Sequence, residues 1–313
     1  MANEVIYRDR TTTWDAIGKS VEECSSMEQV LEASGLDYVV EKRPVYFSKD
    51  WNGEATEEIV NRFVTVRTSD MHPYDVVSDK FEIIQNRDAF DFVNYMGEDL
   101  QFEKAGETAN GMVYVIGKLP EVNILGDAFV PHVIFRNGFS GKVKITAAIC
   151  PLRIVCQNQF NFAFNDANNA VTIRHVRNAE AKLEEAREVL RLSAGYMARI
   201  SAMAETYAQR KLSPKALEWV LNMMFPIKDR ESMNAYAIHR LEEARNKFTK
   251  AYNADDNSNF RGTAWGMINA YTDFITHQEA MGKTDTKEEG KFVRTTFGPS
   301  MNRILTIVDG IAA

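Results

Sequence analysis

Cysteine is scarce in this chain: three in 313 residues, Cys24, Cys150 and Cys156, with no CxxC pair. An odd count without paired spacing indicates neither a disulfide framework nor a zinc knuckle, and free thiols of this kind pack as small hydrophobes. No apolar run approaches the roughly 20 residues that cross a bilayer. The opening, with Glu4, Arg8, Asp9 and Arg10, lacks the apolar stretch of a signal peptide. A cytoplasmic chain with no membrane partner is therefore expected. The five histidines, His72, His132, His175, His239 and His277, contain no HxxxH or HExxH pair, so spacing offers no metal site and no cofactor is expected. Gly138-Phe139-Ser140-Gly141-Lys142 falls short of a phosphate loop, having two residues between its glycines where four are needed and Val143 where Ser or Thr should follow the lysine. There is no GxSxG, and dispersed Ser, His and Asp cannot be assembled into a triad without geometry. No catalytic residue can be named, and enzymatic activity stays open with the weight against it.

What is present is ordinary globular material, 45% hydrophobic and 26% charged, long enough for one large domain or two small ones. Three regions separate by hydrophobic period. Residues 1–78 mix short elements. Ser26 reads as the N-cap of a helix through Leu31 and Ala33 that Gly35 stops, and Tyr38-Val39-Val40 and Val45-Tyr46-Phe47 read as strands broken by Pro44. Asp50-Trp51-Asn52-Gly53 supplies a turn before a strand at Phe63–Arg67. Residues 79–177 form a β-rich core, entered by a β-type run at Asp79–Asn86 and a helix from about Arg87 to Leu100 with Phe90, Val93 and Met96 at helical spacing. Strands are predicted at 112–116, 122–125, 130–137, 142–149, 152–156, 160–164 and 171–176, with Asn137–Gly141 as a hairpin connection in which two glycines supply positive backbone angles. Residues 178–313 are helical. A long helix from Asn178 to Lys211 carries an apolar stripe of Leu183, Ala186, Leu190, Met197 and Ile200, and further helices are predicted at about 214–224, 230–252, 258–281 and 289–309. The fold class is α+β: a central antiparallel or mixed β-sheet with a packed helix, a small N-terminal α+β layer and a C-terminal helical region. Such a sheet can leave one face open to a ligand.

Charge is segregated. Between Phe129 and Arg177 the cations Arg136, Lys142, Lys144, Arg153, Arg174 and Arg177 stand against Asp166 alone, giving that stretch +5 in a chain of −7 and leaving −12 to the rest. Strand alternation puts Lys142, Lys144 and Thr146 on one face and Val143 and Ile145 in the core. A basic row on an open sheet face suits a phosphate backbone, because each neutralised phosphate releases a counterion. Phe139 at the hairpin, and Phe160, Phe162 and Phe164 on one alternating face, would add stacking surface of roughly 1–3 kcal/mol per base wherever a ring is exposed. Core burial is the default for phenylalanines at period two, and lysines on a strand often mark a solvated edge.

Trp14-Asp15-Ala16-Ile17-Gly18, the run Ala33–Pro44, Val77–Phe81 with Gln85-Asn86 and Ala89-Phe90, Arg153–Asn158, Ile173-Arg174-His175, and Gly262-Thr263-Ala264-Trp265 with Asn269, Ala270 and Thr272 together resemble a phage/plasmid-like protein family of uncharacterised function. The order of these motifs covers almost the whole chain, and one departure is Thr13 where the family usually has proline before the tryptophan. The resemblance implies a mobile genetic element in a bacterial host and no named activity. The order of strands then helix is broadly similar to that of single-strand annealing recombinases, a fold-level analogy. Two functions follow as expectations. One is a single-stranded DNA binding and annealing protein, working as a homo-oligomer through Arg136, Lys142, Lys144, Arg153, Arg174, Arg177 and Phe139. The other is a protein-binding module that counters a host defence or assembles on a phage or plasmid complex through a host or phage partner.

Overall fold

The computed structural model of the chain describes residues 12–155 (less 51, 54, 55 and 98), 158–160, 170–172, 179–278 (less 228–230), 287–297 and 302–311. The elements run β1 (Lys19–Ser20), α1 (Met27–Ser34), β2 (Val40–Ser48), β3 (Thr56–Arg67), β4 (His72–Ser78), α2 (Asn86–Phe90) with a 3-10 turn (Asp91–Tyr95), then β5 (Gln101–Glu107), β6 (Met112–Lys118), β7 (Val122–Ile124), β8 (Asp127–Gly138), β9 (Thr146–Arg153), β10 (Asn158–Gln159) and β11 (Ala170–Thr172). Helices follow: α3 (Ala179–Gln209), α4 (Ala216–Met224), α5 (Ala235–Tyr252), a 3-10 turn (Asp255–Phe260), α6 (Ala264–Asp273) with a π turn (Phe274–Gln278), α7 (Lys287–Phe297) and α8 (Arg303–Asp309). Among the described residues no helix is long and apolar enough to cross a membrane.

Among the described residues all strand pairs are antiparallel, which makes the fold α+β. There the large sheet has eight strands in the order β1-β5-β6-β8-β9-β10, with β11 also on β9 and β7 on β8, and the small sheet is β2-β3-β4. Alternation along the central strands sends side chains into two cores. Val113, Val115, Val133, Phe135, Ala147 and Ile149 join the large core beneath α3 and α6. Tyr114, Ile116, Ile134, Cys150 and Leu152 join a second cluster closed by Trp14, Ile17 and Phe292 of α7. Both faces of the sheet are thus covered, and every residue of β9 is buried. The expected open face is absent here, because the segment before β1 and helix α7 cap the side that the main helical body leaves free.

Local signals explain the element ends. Ser26 accepts from the Gln29 amide, and Gly35 (φ 78°) closes α1 with its amide bonded to Glu32 and that of Leu36 to Leu31, a Schellman end that needs the left-handed conformation. Gly266 is required by contact, since a Cβ there would lie 2.1 Å from the Phe260 carbonyl oxygen. The predicted helix at 258–281 is accordingly two turns and a helix, jointed at Gly262 (φ 74°) and started by Thr263, whose hydroxyl accepts from the Gly266 amide. The helix expected over Arg87–Leu100 ends at Tyr95, before Gly97 at φ 81°, while Phe90, Val93 and Met96 are buried as their spacing implied. No strand forms over Asp79–Asn86, and β4 lies just before it.

Three further strand readings change. Pro44 does not break β2, which runs through it with an irregularity before Tyr46; β2 is an edge strand, where a missing N–H costs no ladder bond. The strands expected at 142–149 and 152–156 are one strand, β9, beginning only at Thr146. Gly138 and Gly141 do not adopt positive φ. Gly138 instead makes room for Val143, whose Cβ would lie 2.6 Å from any Cβ placed there. The strand expected over Phe160–Phe164 lies mostly outside the described residues, as do Cys156 and Gln157; of 171–176 only Val171 and Thr172 are described, as part of β11.

The small sheet is fastened to the large one by its inner end. Arg67 donates to Glu107 of β5 (2.8 Å) and to both Asp70 carboxylate oxygens (2.8 Å each), with its guanidinium 4.9 Å from the Tyr38 ring centre. The Thr65 hydroxyl donates to the Phe139 carbonyl at 2.7 Å. Trp14 is the keystone of the second core: fully buried, it donates from Nε1 to Glu103 (3.1 Å) and packs against His132 and Phe292. Trp14→Ala is expected to lower stability by about 3–5 kcal/mol in urea unfolding, with Lys142→Ala, on the surface, shifting it by less than about 0.5 kcal/mol.

Candidate nucleic-acid interface

The residues expected to hold a phosphate backbone do not share one surface. Arg153, in β9, is 2% exposed and directs Nη2 and Nε at one Asp127 oxygen, Oδ2 (2.6 and 2.8 Å), while Nη2 also donates to the Asp256 carbonyl (2.9 Å) and the guanidinium lies 5.8 Å from the Phe260 ring centre. Burial pushes the Asp127 carboxyl above its usual range, and Arg153 pulls it part of the way back. This pair clamps the start of β8 and the end of β9 to the turn before α6. Arg153 therefore serves the fold, since a solvent-borne phosphate cannot reach it. Phe139 is also enclosed, its ring 5.9 Å from that of Tyr38 and 5.2 Å from that of Tyr74, so it seats the small sheet and offers no stacking platform.

Three of the cations lie together at the β8–β9 connection. Arg136, half-buried near the end of β8, donates from Nε to the Thr146 hydroxyl (2.6 Å), and burial draws its guanidinium below the usual value. Lys142 is 83% exposed, with Nζ 3.3 Å from Asp75, and Lys144 is exposed. Neither lysine is on a strand face: both belong to the connection that precedes β9. Arg174 and Arg177 lie outside the described residues, together with Phe162, Phe164 and Asp166.

A polar cluster that sequence spacing does not reveal sits under Trp14. His132 and Cys150 are direct cross-strand partners on β8 and β9. His132 Nε2 is 2.9 Å from Glu103, and Nδ1 lies 3.1 Å from the Val130 carbonyl. Gln159 donates to the Cys150 sulfur (3.4 Å) and accepts from the Thr13 hydroxyl (2.7 Å). Thiol, imidazole and carboxylate are the group types of nucleophilic catalysis, but this geometry does not perform it. Burial pushes the Cys150 thiol up to about 12, far from the thiolate that attacks. The Cys150 sulfur is instead bonded to Gln159, and both His132 ring nitrogens lie against oxygens. The cluster is a buried polar contact that latches the N-terminal segment onto the sheet through the Trp14–Glu103 hydrogen bond. Nothing in the sequence pointed to it beyond Trp14, because residues 14, 103 and 132 meet only through the register of β5, β6 and β8.

The latch sets an acid limit. Burial raises the Glu103 carboxyl, but the His132 contact and the Trp14 hydrogen bond outweigh it, and the net shift is downward. A depressed carboxylate contributes stability above its unfolded pKa of about 4.3, and that contribution is lost as pH falls through the folded value. Glu103→Gln is expected to cost about 2 kcal/mol at pH 7, as for the loss of a hydrogen bond to a charged group. In urea titrations across pH the gap to the parent chain should close below about pH 4; a gap independent of pH would show that ionised Glu103 is not what holds the latch.

Comparison with known proteins gives a family. No curated protein and no solved structure matches the chain significantly. The profile of a family described as Domain of unknown function (DUF932) matches residues 73–296, from β4 through nearly all of α7, and leaves β2 and β3 outside. With more than half its length matched, the chain belongs to this DUF932 family of unknown function.

Proposed function

We propose that the protein is a protein-binding module of a phage or plasmid, which assembles on a partner through the outer part of its small sheet. The observation that carries this is apolar surface that no other described residue covers. Beyond the irregularity at Pro44, β2 and β3 continue as a two-stranded ribbon in which Tyr46 is 55%, Phe47 46% and Val60 76% exposed, with Ile59 beside them. A lone two-stranded hairpin is marginal in water, and Tyr46 and Phe47, one on each face of the ribbon, expose large apolar side chains that a partner would cover. The phage or plasmid setting is supported by the sequence resemblance alone.

A photo-reactive amino acid at position 47, in cells carrying the parent element, is expected to give a discrete covalent adduct whose other polypeptide is identified by mass spectrometry, with none from Lys215. Failure to form any adduct at 47 counts against this reading.

Single-stranded DNA binding is the second reading, and its support is narrower than the charge count suggested: Lys142 and Lys144, exposed, beside half-buried Arg136. On this reading a labelled oligonucleotide binds at low salt and is released steeply as salt rises. The Lys142→Glu, Lys144→Glu pair should abolish binding for all sequences alike. An oligonucleotide that fails to bind at low salt removes it.

A further inference from the structure

We propose that Asn52, at the tip of the β2–β3 hairpin, is a site of covalent modification: its side chain cyclises onto the Gly53 amide and hydrolyses to an acid. This chemistry needs no partner and stands apart from the protein-contact reading. Asparagine followed by glycine is the pair most open to it, because glycine has no Cβ to shield its amide nitrogen. The chain carries such pairs at Asn52-Gly53, Asn110-Gly111 and Asn137-Gly138. In the reaction the Gly53 nitrogen attacks Asn52 Cγ and the N–Cγ bond forms. The Cγ–Nδ2 bond breaks, and Nδ2 leaves as ammonia with the former amide proton. Water then opens the succinimide at either carbonyl, giving aspartate or isoaspartate, with nothing oxidised or reduced.

The fold treats the three pairs differently. Asn137 is buried, its Nδ2 donates to the Ile84 carbonyl (3.1 Å) and to Asn86 Oδ1 (3.0 Å), and its backbone is paired with Val113 of β6. Its side chain cannot swing onto Gly138 unless that part of the sheet opens. Asn110 is exposed, but the nucleophile beside it is not: Gly111 is buried, and its amide donates to the Thr108 carbonyl at 2.8 Å. The same turn is tied down by the Ala109 amide, which donates to Glu289 (2.9 Å), and by the Tyr74 ring, which would lie 2.6 Å from any Cβ placed on Gly111. At the ribbon tip both Asn52 and Gly53 are exposed. The Gly53 amide makes only a long contact (3.5 Å) with the Asp50 carbonyl, which also accepts from the Ser48 hydroxyl. Among the described residues nothing lies within 4 Å of a Cβ built on Gly53. Conversion adds one negative charge to a tip whose sequence already holds Asp50 and Glu54.

The purified full chain, held at mildly alkaline pH and sampled over days by peptide mapping with mass spectrometry and isoaspartate detection, tests this. Asn52 is expected to convert first. Asn110 should follow about tenfold more slowly, because the Gly111 amide must first leave its hydrogen bond. Asn137 should stay intact while the chain is folded. In urea strong enough to unfold the chain, the three rates should come within about threefold of one another, since the protection comes from structure that has opened. Asn52 converting no faster than Asn110 in the folded chain overturns the proposal. So does an order of reactivity that survives in urea, which would place its cause in the flanking residues and not in the fold.

Discussion

Strand β8 must satisfy two cores at once. Its alternate residues feed the large helical core through Val133 and Phe135 and the smaller one through His132 and Ile134, so no side of it is available to solvent along its middle. The neighbouring β9 is under the same constraint. A sheet enclosed on both faces cannot display a row of charges across its surface without burying them, and a buried charge survives only when paired. Arg153 obeys that rule through Asp127, and Glu103 is held by the Trp14 indole and the His132 ring.

The enclosed sheet also decides where contact chemistry can reside. What the described residues leave exposed lies at the periphery: the β8–β9 connection, where Lys142 and Lys144 reach water, and the small sheet, whose inner end is fixed by Arg67, Glu107 and Phe139 while Tyr46, Phe47 and Val60 at its outer end are exposed. The connection meets the small sheet at its inner end, where Lys142 approaches Asp75 of β4.

Much of the local structure was legible. The Ser26 cap and the Gly35 stop follow from side-chain and backbone chemistry that acts within a single turn, and the structure places both as read. The helical period of residues 179–209 and the strands at 112–116 and 130–137 were readable because burial of one face imposes its period on the sequence. The candidate site was less legible. Alternation placed Lys142 and Lys144 on a strand face, but Val143 folds onto Gly138 and delays the strand to Thr146, a contact that period alone does not encode. The hairpin position of Phe139 suggests a stacking ring, and its neighbours Tyr38 and Tyr74, brought from a distant part of the chain, make it core instead.

By itself the sequence determined the α+β class, the division into a strand-rich middle and a helical end, and the concentration of positive charge between residues 129 and 177, because composition and period are properties of consecutive residues. Only the tertiary structure decided which of those charges meet water. Pairing Arg153 with Asp127, closing Trp14 over Glu103 and His132, and leaving Tyr46 and Phe47 uncovered all depend on which segments become neighbours in space, and that is fixed by sheet register and packing across the whole chain.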